Sequence, residues 1–137
     1  DGIKKILGEL EELELIEFLD HGRSVRLKDD HPMNQKLKVF SAMCDLEGLA
    51  LLLKSVSEKG ILFGSRSCGK ARSDSDFDLC VVSDKSLEVT QVIESYPLGY
   101  DVASAILSPT EYRELEEKNP KLHRKLELGV VLWGPTW

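Results

Sequence analysis

The sequence lacks the features that mark several large classes of protein. No apolar run approaches the length needed to cross a bilayer, and no signal peptide is visible at its start. We therefore expect a protein without a membrane partner. The chain starts at Asp1 rather than at Met, which is typical of a fragment or a trimmed chain.

Cysteine and histidine are also scarce. The three cysteines are Cys44, Cys68 and Cys80, and the three histidines are His21, His31 and His123. Their spacings match neither a zinc knuckle nor a C-x-x-C redox pair. We expect no zinc site, and we expect the cysteines to be small, semi-buried side chains of a protein in the reducing cytoplasm.

Size and charge narrow the function further. A chain of 137 residues predicts one domain with room for a small appendage. A net charge of −6 argues against broad, nonspecific binding of nucleic acid. The same net charge still allows a local basic face on the surface.

Hydrophobic periodicity predicts a helix and a hairpin at the front of the chain. From residue 3 the apolar side chains recur at three- and four-residue steps, which indicates a helix. The period then changes to two around a turn at His21 and Gly22, which indicates two short strands. Pro32 is expected to interrupt the chain after this hairpin.

The remainder of the chain alternates between helical and strand patterns. Helices are predicted over 35–58 and 86–95, from Ser108 onward, and again from Asn119-Pro120 to about Leu128. Strands are predicted over 60–65, 77–83 and 99–107, with a last strand at VVLW.

The stretch FGSRSCGKARSDSDFDL contains a false nucleotide-binding motif. Gly64, Gly69 and Lys70 fit the Walker A spacing G-x-x-x-x-G-K, but the next residue is Ala71 where the motif needs a Ser or Thr hydroxyl for Mg²⁺. The motif also needs a full helix after the loop, and only turn-forming residues separate Lys70 from the next strand. We therefore exclude a P-loop.

The same stretch also mimics a calcium loop. Asp74, Asp76 and Asp78 give D-x-D-x-D, but the sixth position is Leu79 and the twelfth is Lys85, where an EF-hand needs Gly and Glu. We reject this interpretation too.

A third interpretation accounts for more of the stretch. Because side chains alternate along a strand, Asp76 and Asp78 point to one face, where they can hold a hard cation through oxygen. Gly64 lets a phosphate approach the backbone, and the Ser65 hydroxyl can donate to it. Asp101, an acid within an apolar strand pattern, is the expected third carboxylate of a two-metal site.

At this point the sequence resembles a known family. LFGSRSCGKARSDSDFDLCVV, followed by YDVASAI, resembles the minimal nucleotidyltransferases of the DNA polymerase beta superfamily over about residues 46–134. The family pattern is h-G-S-x-A-R-G-x-A-x-x-x-S-D-x-D-L-h-V with a later h-D-h, where h is apolar. Residues at matching positions are Gly64, Ser65, Gly69, Ala71, Ser75, Asp76, Asp78, Leu79 and Asp101. Cys68 replaces the family's Arg, so Arg66, Lys70 or Arg72 is expected to supply the basic charge.

The resemblance implies a fold and a reaction. The fold is α/β (α+β), a small mixed sheet flanked by helices. The reaction is transfer of a nucleoside monophosphate from an NTP, with ATP the expected one, to a hydroxyl. Asp76 and Asp78 would ligand two Mg²⁺ ions, and Asp101 would share one of them and help to deprotonate the acceptor hydroxyl. The phosphates would lie on Gly64, Ser65, Arg66 and Lys70.

The front of the chain resembles the end of a winged-helix module. LEELELIEFLDHGRSVRLKDDHPMNQKLKVF is similar to the recognition-helix end and wing of prokaryotic winged-helix regulators. We therefore predict a partial winged helix over 1–34 and a nucleotidyltransferase domain, with its linking helix, over 35–137.

Partners and alternatives follow from these two resemblances. The acceptor is a protein or a small molecule, and the family's smallest members resemble antitoxins, so a toxin-like partner protein fits. A homodimer is left open, and DNA enters only if a complete winged helix lies upstream. The alternative functions are a DNA-binding regulator with a nucleotide-sensing or inactive nucleotidyltransferase domain, and a purely structural dimerisation domain.

Overall fold

The computed structural model describes residues 2–136, so the first residue of the predicted 1–34 unit and the last of the 35–137 unit lie outside it. The elements in chain order are α1 Gly2–Glu12, β1 Ile16–Leu19, β2 Ser24–Leu27, α2 Pro32–Leu53, β3 Lys59–Phe63, β4 Phe77–Val82, α3 Ser86–Ser95, β5 Val102–Leu107, α4 Pro109–Arg113, α5 Leu115–Lys118, α6 Pro120–Glu127 and β6 Val130–Trp133. None of the helices described is both long enough and apolar enough to span a bilayer.

A four-stranded sheet in the order β5-β4-β3-β6 forms the centre of the molecule. The β4 and β5 strands are parallel, whereas β3 runs antiparallel to both β4 and β6. The predicted mixed-sheet α+β fold is therefore confirmed. Parallel pairing of β4 with β5 needs a crossover, and α3 provides it.

Alternation along the strands divides the core between the two faces of the sheet. Phe77, Leu79 and Val81 of β4 pack on one face with the buried side of α2 and with Val89 of α3. Cys80 points to the other face and packs there with residues of β3, α5 and α6, among them Ile61, Leu115 and Leu126. Helices on both faces leave little of β4 accessible beyond its first residues.

The predicted helix and hairpin are present at the front. The β1 and β2 strands pair antiparallel, with Ile16 opposite Leu27, and the turn between them uses left-handed conformations at Asp20, His21 and Gly22 (φ 50°, 55° and 85°). None of the residues of α1 is buried. The assignment of this part to a winged helix stays a prediction.

The prediction that Pro32 interrupts the chain was wrong. Pro32 instead opens α2, where its missing N–H costs nothing, and His31 caps the helix by accepting a hydrogen bond from the Met33 N–H at 3.1 Å. The helix ends at Leu53 rather than at 58. The predicted unit boundary at 34/35 thus falls inside a helix, at a residue tied to the hairpin: Asn34 donates to the Leu15 and Lys28 carbonyls at 2.7 and 3.0 Å.

Candidate active site

Gly64 sits where β3 ends, in direct contact with one of the predicted acids. Its backbone has φ 73° and ψ −157°, a conformation that residues with a side chain rarely adopt. A methyl group on its Cα would lie 2.1 Å from Asp78 Oδ2. Both the conformation and the space therefore require glycine, and the glycine brings the backbone of the following loop against the Asp78 carboxylate.

The loop after Gly64 turns sharply on its own backbone. Residues Ser65–Ser67 form one 3₁₀ turn, and the Lys70 N–H donates to the Ser65 carbonyl at 3.1 Å. Gly69, which is buried and has φ 75°, packs against the backbone of Gln35 in α2, where a Cβ would lie 2.3 Å from the carbonyl oxygen. The loop that carries Ser65, Arg66 and Lys70 is therefore held between the sheet and α2.

Asp76 and Asp78 lie near each other at the start of β4. Asp78 is the second residue of β4, opposite Phe63 of β3, and Asp76 precedes the strand by one residue. Burial raises the pKa of the Asp78 carboxyl, the charge of Asp76 raises it further, and Lys125 of α6 partly lowers it. Two carboxylates that repel each other at a half-buried position favour the binding of a cation between them.

Asp101 lies at the same edge of the sheet but not inside a strand. The predicted strand 99–107 begins only at Val102, so the placement of Asp101 within a strand was wrong. Its carbonyl accepts a hydrogen bond from the Phe77 N–H at 2.9 Å, and Phe77 is in register with Val102. Phe77 and Val102 are paired at the start of the two parallel strands, and Asp76 and Asp101 are the residues directly before them.

The donor set fits a divalent cation in chemistry. Aspartate oxygens are the ligands that Mg²⁺ prefers, and Asp76 and Asp78 supply them at one place. Within residues 2–136, no three Asp, Glu, His or Cys side chains are grouped closely enough to hold a metal ion together. The structure thus brings Asp76 and Asp78 together, whereas the Asp101 carboxylate does not complete a group of three with them.

Arg66 connects three segments of this site. Its Nε and one terminal nitrogen donate to the Ser75 carbonyl at 3.1 and 2.6 Å. The guanidinium also lies over the rings of Phe77 and Tyr100, at 4.4 and 4.8 Å from their centres. One side chain thereby ties the loop after Gly64 to the residues before Asp76 and before Asp101. The prediction that Arg66 contacts a phosphate stays a prediction.

Two clefts flank the loop over 72–76. The first, with a volume of ≈ 490 Å³, is acidic, since its lining includes Asp74, Asp76 and Asp101 beside Tyr96 and Tyr100. The second, of ≈ 600 Å³, is lined by three basic residues, Lys38, Arg66 and Arg72, and by Asp29, which forms an ion pair with Lys38. An acceptor in the acidic cleft could therefore reach the Asp76 and Asp101 carboxylates.

Two contributors to the site were missed from the sequence. Tyr100 stacks on Arg66 and packs edge-on against Phe77, with 5.4 Å between the ring centres. The positive charge of Lys125, in α6, lowers the pKa of Asp78. Tyr100 begins the stretch YDVASAI, but nothing in that pattern indicates its contact with Arg66, and Lys125 belongs to no motif.

Comparison with known proteins gives a family for most of the chain. Residues 47–133 match the model of the nucleotidyltransferase domain family. No curated protein matches the chain significantly. Similar solved structures include a protein described as a nucleotidyltransferase from Sulfolobus solfataricus, with 20% identity over 74% of this chain and 85% of that one and a TM-score of 0.42. A toxin-antitoxin structure with AMP-PNP has 20% identity over 69% and 74% of the two chains and a TM-score of 0.47. A mutant of the toxin-antitoxin MntA-HpeT has 18% identity over 66% and 73% and a TM-score of 0.46.

The family match covers the Gly64–Ser65 turn, the Asp76/Asp78 pair, Asp101 and the last strand of the sheet. The chain therefore belongs to the nucleotidyltransferase domain family and is a nucleotidyltransferase.

Proposed function

We propose that this enzyme transfers a nucleoside monophosphate from an NTP to a hydroxyl of a protein or a small molecule, with Mg²⁺ as cofactor. The observation that carries the proposal is the contact between Gly64 and Asp78. It places a loop able to receive phosphate directly beside a pair of carboxylates.

The loop after Gly64 would hold the β- and γ-phosphates. A glycine with φ 73° leaves room for an anion against the backbone, and the Ser65 hydroxyl and the neighbouring N–H groups can donate to it. Lys70, which is exposed at the end of this loop, would add positive charge. Arg66 would either contact the phosphates or hold the loop in shape through Ser75.

Asp76 and Asp78 would hold Mg²⁺. When bound, Mg²⁺ neutralises charge on the phosphates and helps to activate the attacking oxygen. Asp76 and Asp78 would fix the position of that ion relative to the phosphates held by the loop after Gly64. A bound cation would also stabilise the ionised form of Asp78, whose pKa is raised without one.

Asp101 would act on the acceptor side. Its place beside Asp76, on the lining of the acidic cleft, suits a group that takes the proton of an acceptor hydroxyl. We also propose that Asp101 shares a metal ion with the Asp76/Asp78 pair once nucleotide is bound. The acidic cleft would then admit the acceptor beside Asp76 and Asp101.

The physiological setting follows from the resemblance of the sequence to antitoxin-like nucleotidyltransferases. We propose a cytoplasmic enzyme that uses ATP and modifies a toxin-like partner protein. Binding of DNA by the front part of the chain stays a prediction that depends on a complete winged helix.

Incubation with each α-labelled NTP, Mg²⁺ and candidate acceptors tests the proposal. The wild type is expected to transfer label, and the Asp76→Asn/Asp78→Asn double variant is expected not to. Asp84→Asn is the control, since Asp84 is an exposed acid just beyond the other end of β4. Equal labelling by the wild type and the double variant, with every acceptor tried, would contradict the proposed function.

A further inference from the structure

The outer side of α2 carries an apolar stripe that no described part of the chain covers. Its large members are Met33, Leu37, Phe40 and Leu51, with 60%, 58%, 64% and 59% of their surfaces exposed, and the exposed Cys44 lies between them. Their spacing of three, four and seven residues puts them in one line along the helix. The opposite side of the same helix holds the buried Leu46, Leu49 and Leu53.

Charged residues border this stripe in a specific order. At 100° per residue, Lys36 and Glu47 fall on the same flank of the stripe, the lysine toward the start of α2 and the glutamate toward its end. Both side chains are exposed. A partner helix that runs antiparallel would therefore be expected to carry an acid opposite Lys36 and a base opposite Glu47.

A second copy of α2 meets that requirement. Consider an antiparallel pair of helices related by a two-fold axis near Ala42. A residue a given number of positions before Ala42 in one copy then faces the residue the same number of positions after Ala42 in the other copy. Met33 then faces Leu51 of the second copy, and Phe40 faces Cys44. The same register puts Lys36 beside Glu47 of the second copy, twice by symmetry. The register that covers the apolar stripe is thus also the register that pairs the opposite charges, and this is the main support for the pairing.

We propose that this protein forms a homodimer through α2, which packs antiparallel against α2 of a second copy. The interface covers the large exposed apolar side chains of the stripe and is closed on one flank by two Lys36–Glu47 pairs between the copies. Burial of apolar surface supplies most of the affinity, and the charged pairs set the direction and register. The dimer does not depend on the proposed reaction, because the stripe faces away from the core and from Asp78.

A charge exchange tests the register. The oligomeric state of the 137-residue chain is measured by sedimentation velocity over a range of concentrations, for the wild type, Lys36→Glu, Glu47→Lys and the double exchange. The wild type is expected to dimerise. Each single variant creates two like-charge pairs and should weaken the dimer by roughly tenfold. The double exchange restores opposite charges and should return the dissociation constant to near the wild-type value.

Several results would overturn the proposal. A wild type that is monomeric at every concentration would do so, as would single variants that dimerise as tightly as the wild type. A double exchange that stays as weak as the single variants would show that the two charges do not meet. Thermal unfolding of each variant, measured at concentrations where the wild type is also monomeric, separates loss of the dimer from loss of the fold, since these exposed positions should leave the unfolding of the monomer unchanged.

Cross-linking at Cys44 gives an independent readout. In the proposed register the two Cys44 residues are offset by about 6 Å along the helix axes, within reach of a short bis-maleimide. A Cys68→Ser background removes the other exposed thiol, and Cys80 is buried. Cross-linked dimer is expected, and Leu37→Asp should abolish it. A cross-link yield that Leu37→Asp leaves unchanged would count against the α2 interface.

Discussion

Gly64 and Asp78 lie in contact at the edge of the sheet, so close that a Cβ on Gly64 would be 2.1 Å from Asp78 Oδ2. The two residues belong to neighbouring antiparallel strands, Gly64 just after β3 and Asp78 near the start of β4. This contact joins the two halves of the sequence motif, because the phosphate loop begins at one residue and the proposed metal ligand is the other.

Gly64→Ala is expected to damage both stability and activity. The new side chain meets the Asp78 carboxylate and also forces alanine into a conformation with φ 73°, which costs roughly 1–3 kcal/mol of unfolding free energy. Displacement of the loop or of Asp78 should lower the rate of nucleotide transfer by at least about 10²-fold. Urea unfolding and steady-state kinetics measure the two effects.

Gly22→Ala is the matched control. Gly22 has φ 85°, and nothing lies within 4 Å of the position that a Cβ would take there. Gly22→Ala therefore introduces the unfavourable backbone conformation without a steric clash. It is far from Asp78 in the hairpin turn, and its activity should match the wild type. If the two glycine variants lost activity equally, the contact with Asp78 would have no role in the reaction.

Asp78→Asn should be more stable than the wild type at neutral pH although its activity falls. Burial and the charge of Asp76 raise the pKa of Asp78, so the folded state disfavours the ionised carboxylate relative to the unfolded chain. A neutral amide removes this penalty, a trade of stability for function that is common at active sites. The loss of activity is expected to be on the order of 10²–10³-fold.

The stability advantage of Asp78→Asn should depend on pH in a defined direction. Because the folded state binds the Asp78 proton more tightly, the free energy of unfolding falls as the pH rises from the ordinary Asp pKa of 3.8 through the raised pKa. The advantage of Asp78→Asn should therefore be largest at neutral pH and should shrink toward pH 3.8. Urea unfolding at several pH values measures it, and a variant less stable than the wild type at pH 7 would contradict the assignment.

Arg66→Lys should behave more like Arg66→Ala than like the wild type. Lysine keeps the charge, but it cannot donate twice to the Ser75 carbonyl or lie flat over Phe77 and Tyr100. If Arg66 holds the loop, both variants should raise KM for NTP and lower thermal stability. Full activity in Arg66→Lys would instead favour a role for Arg66 as a simple phosphate-binding charge.

Much of this site follows from local pattern, and the rest depends on packing between distant segments. Alternation predicted that Asp76 and Asp78 share a face; the structure puts Asp78 in β4 and Asp76 just before it, near enough for the charge of Asp76 to raise the pKa of Asp78. The strand assignment of Asp101 failed, since β5 begins one residue later and pattern does not locate strand ends well. The contacts of Arg66 with Ser75 and Tyr100 join different segments of the chain, and no local sequence pattern indicates them.

The start of α2 shows the same limit. Proline both ends helices and opens them, and only the cap made by His31 decides that Pro32 opens one here.

Thiol reactivity tests the packing of the sheet. Burial raises the pKa of Cys80 to about 12, although Lys59 lowers it in part, whereas Cys44 and Cys68 are exposed. Two of the three thiols should therefore react with an aromatic disulfide reagent in the native protein at pH 8, and the third only after unfolding. Rapid reaction of Cys80 in the native state would show that the sheet opens readily.

Transfer of a nucleoside monophosphate moves the α-phosphate of the NTP, and not its γ-phosphate, to the acceptor. Parallel reactions with α-labelled and γ-labelled ATP, Mg²⁺ and the acceptor distinguish the two. We predict that label reaches the acceptor only from the α-position, with one pyrophosphate released for each transfer, and that Asp78→Asn slows formation of both products by about 10²–10³-fold. Transfer of the γ-label, or α-label transfer at the wild-type rate in Asp78→Asn, would contradict the proposed reaction.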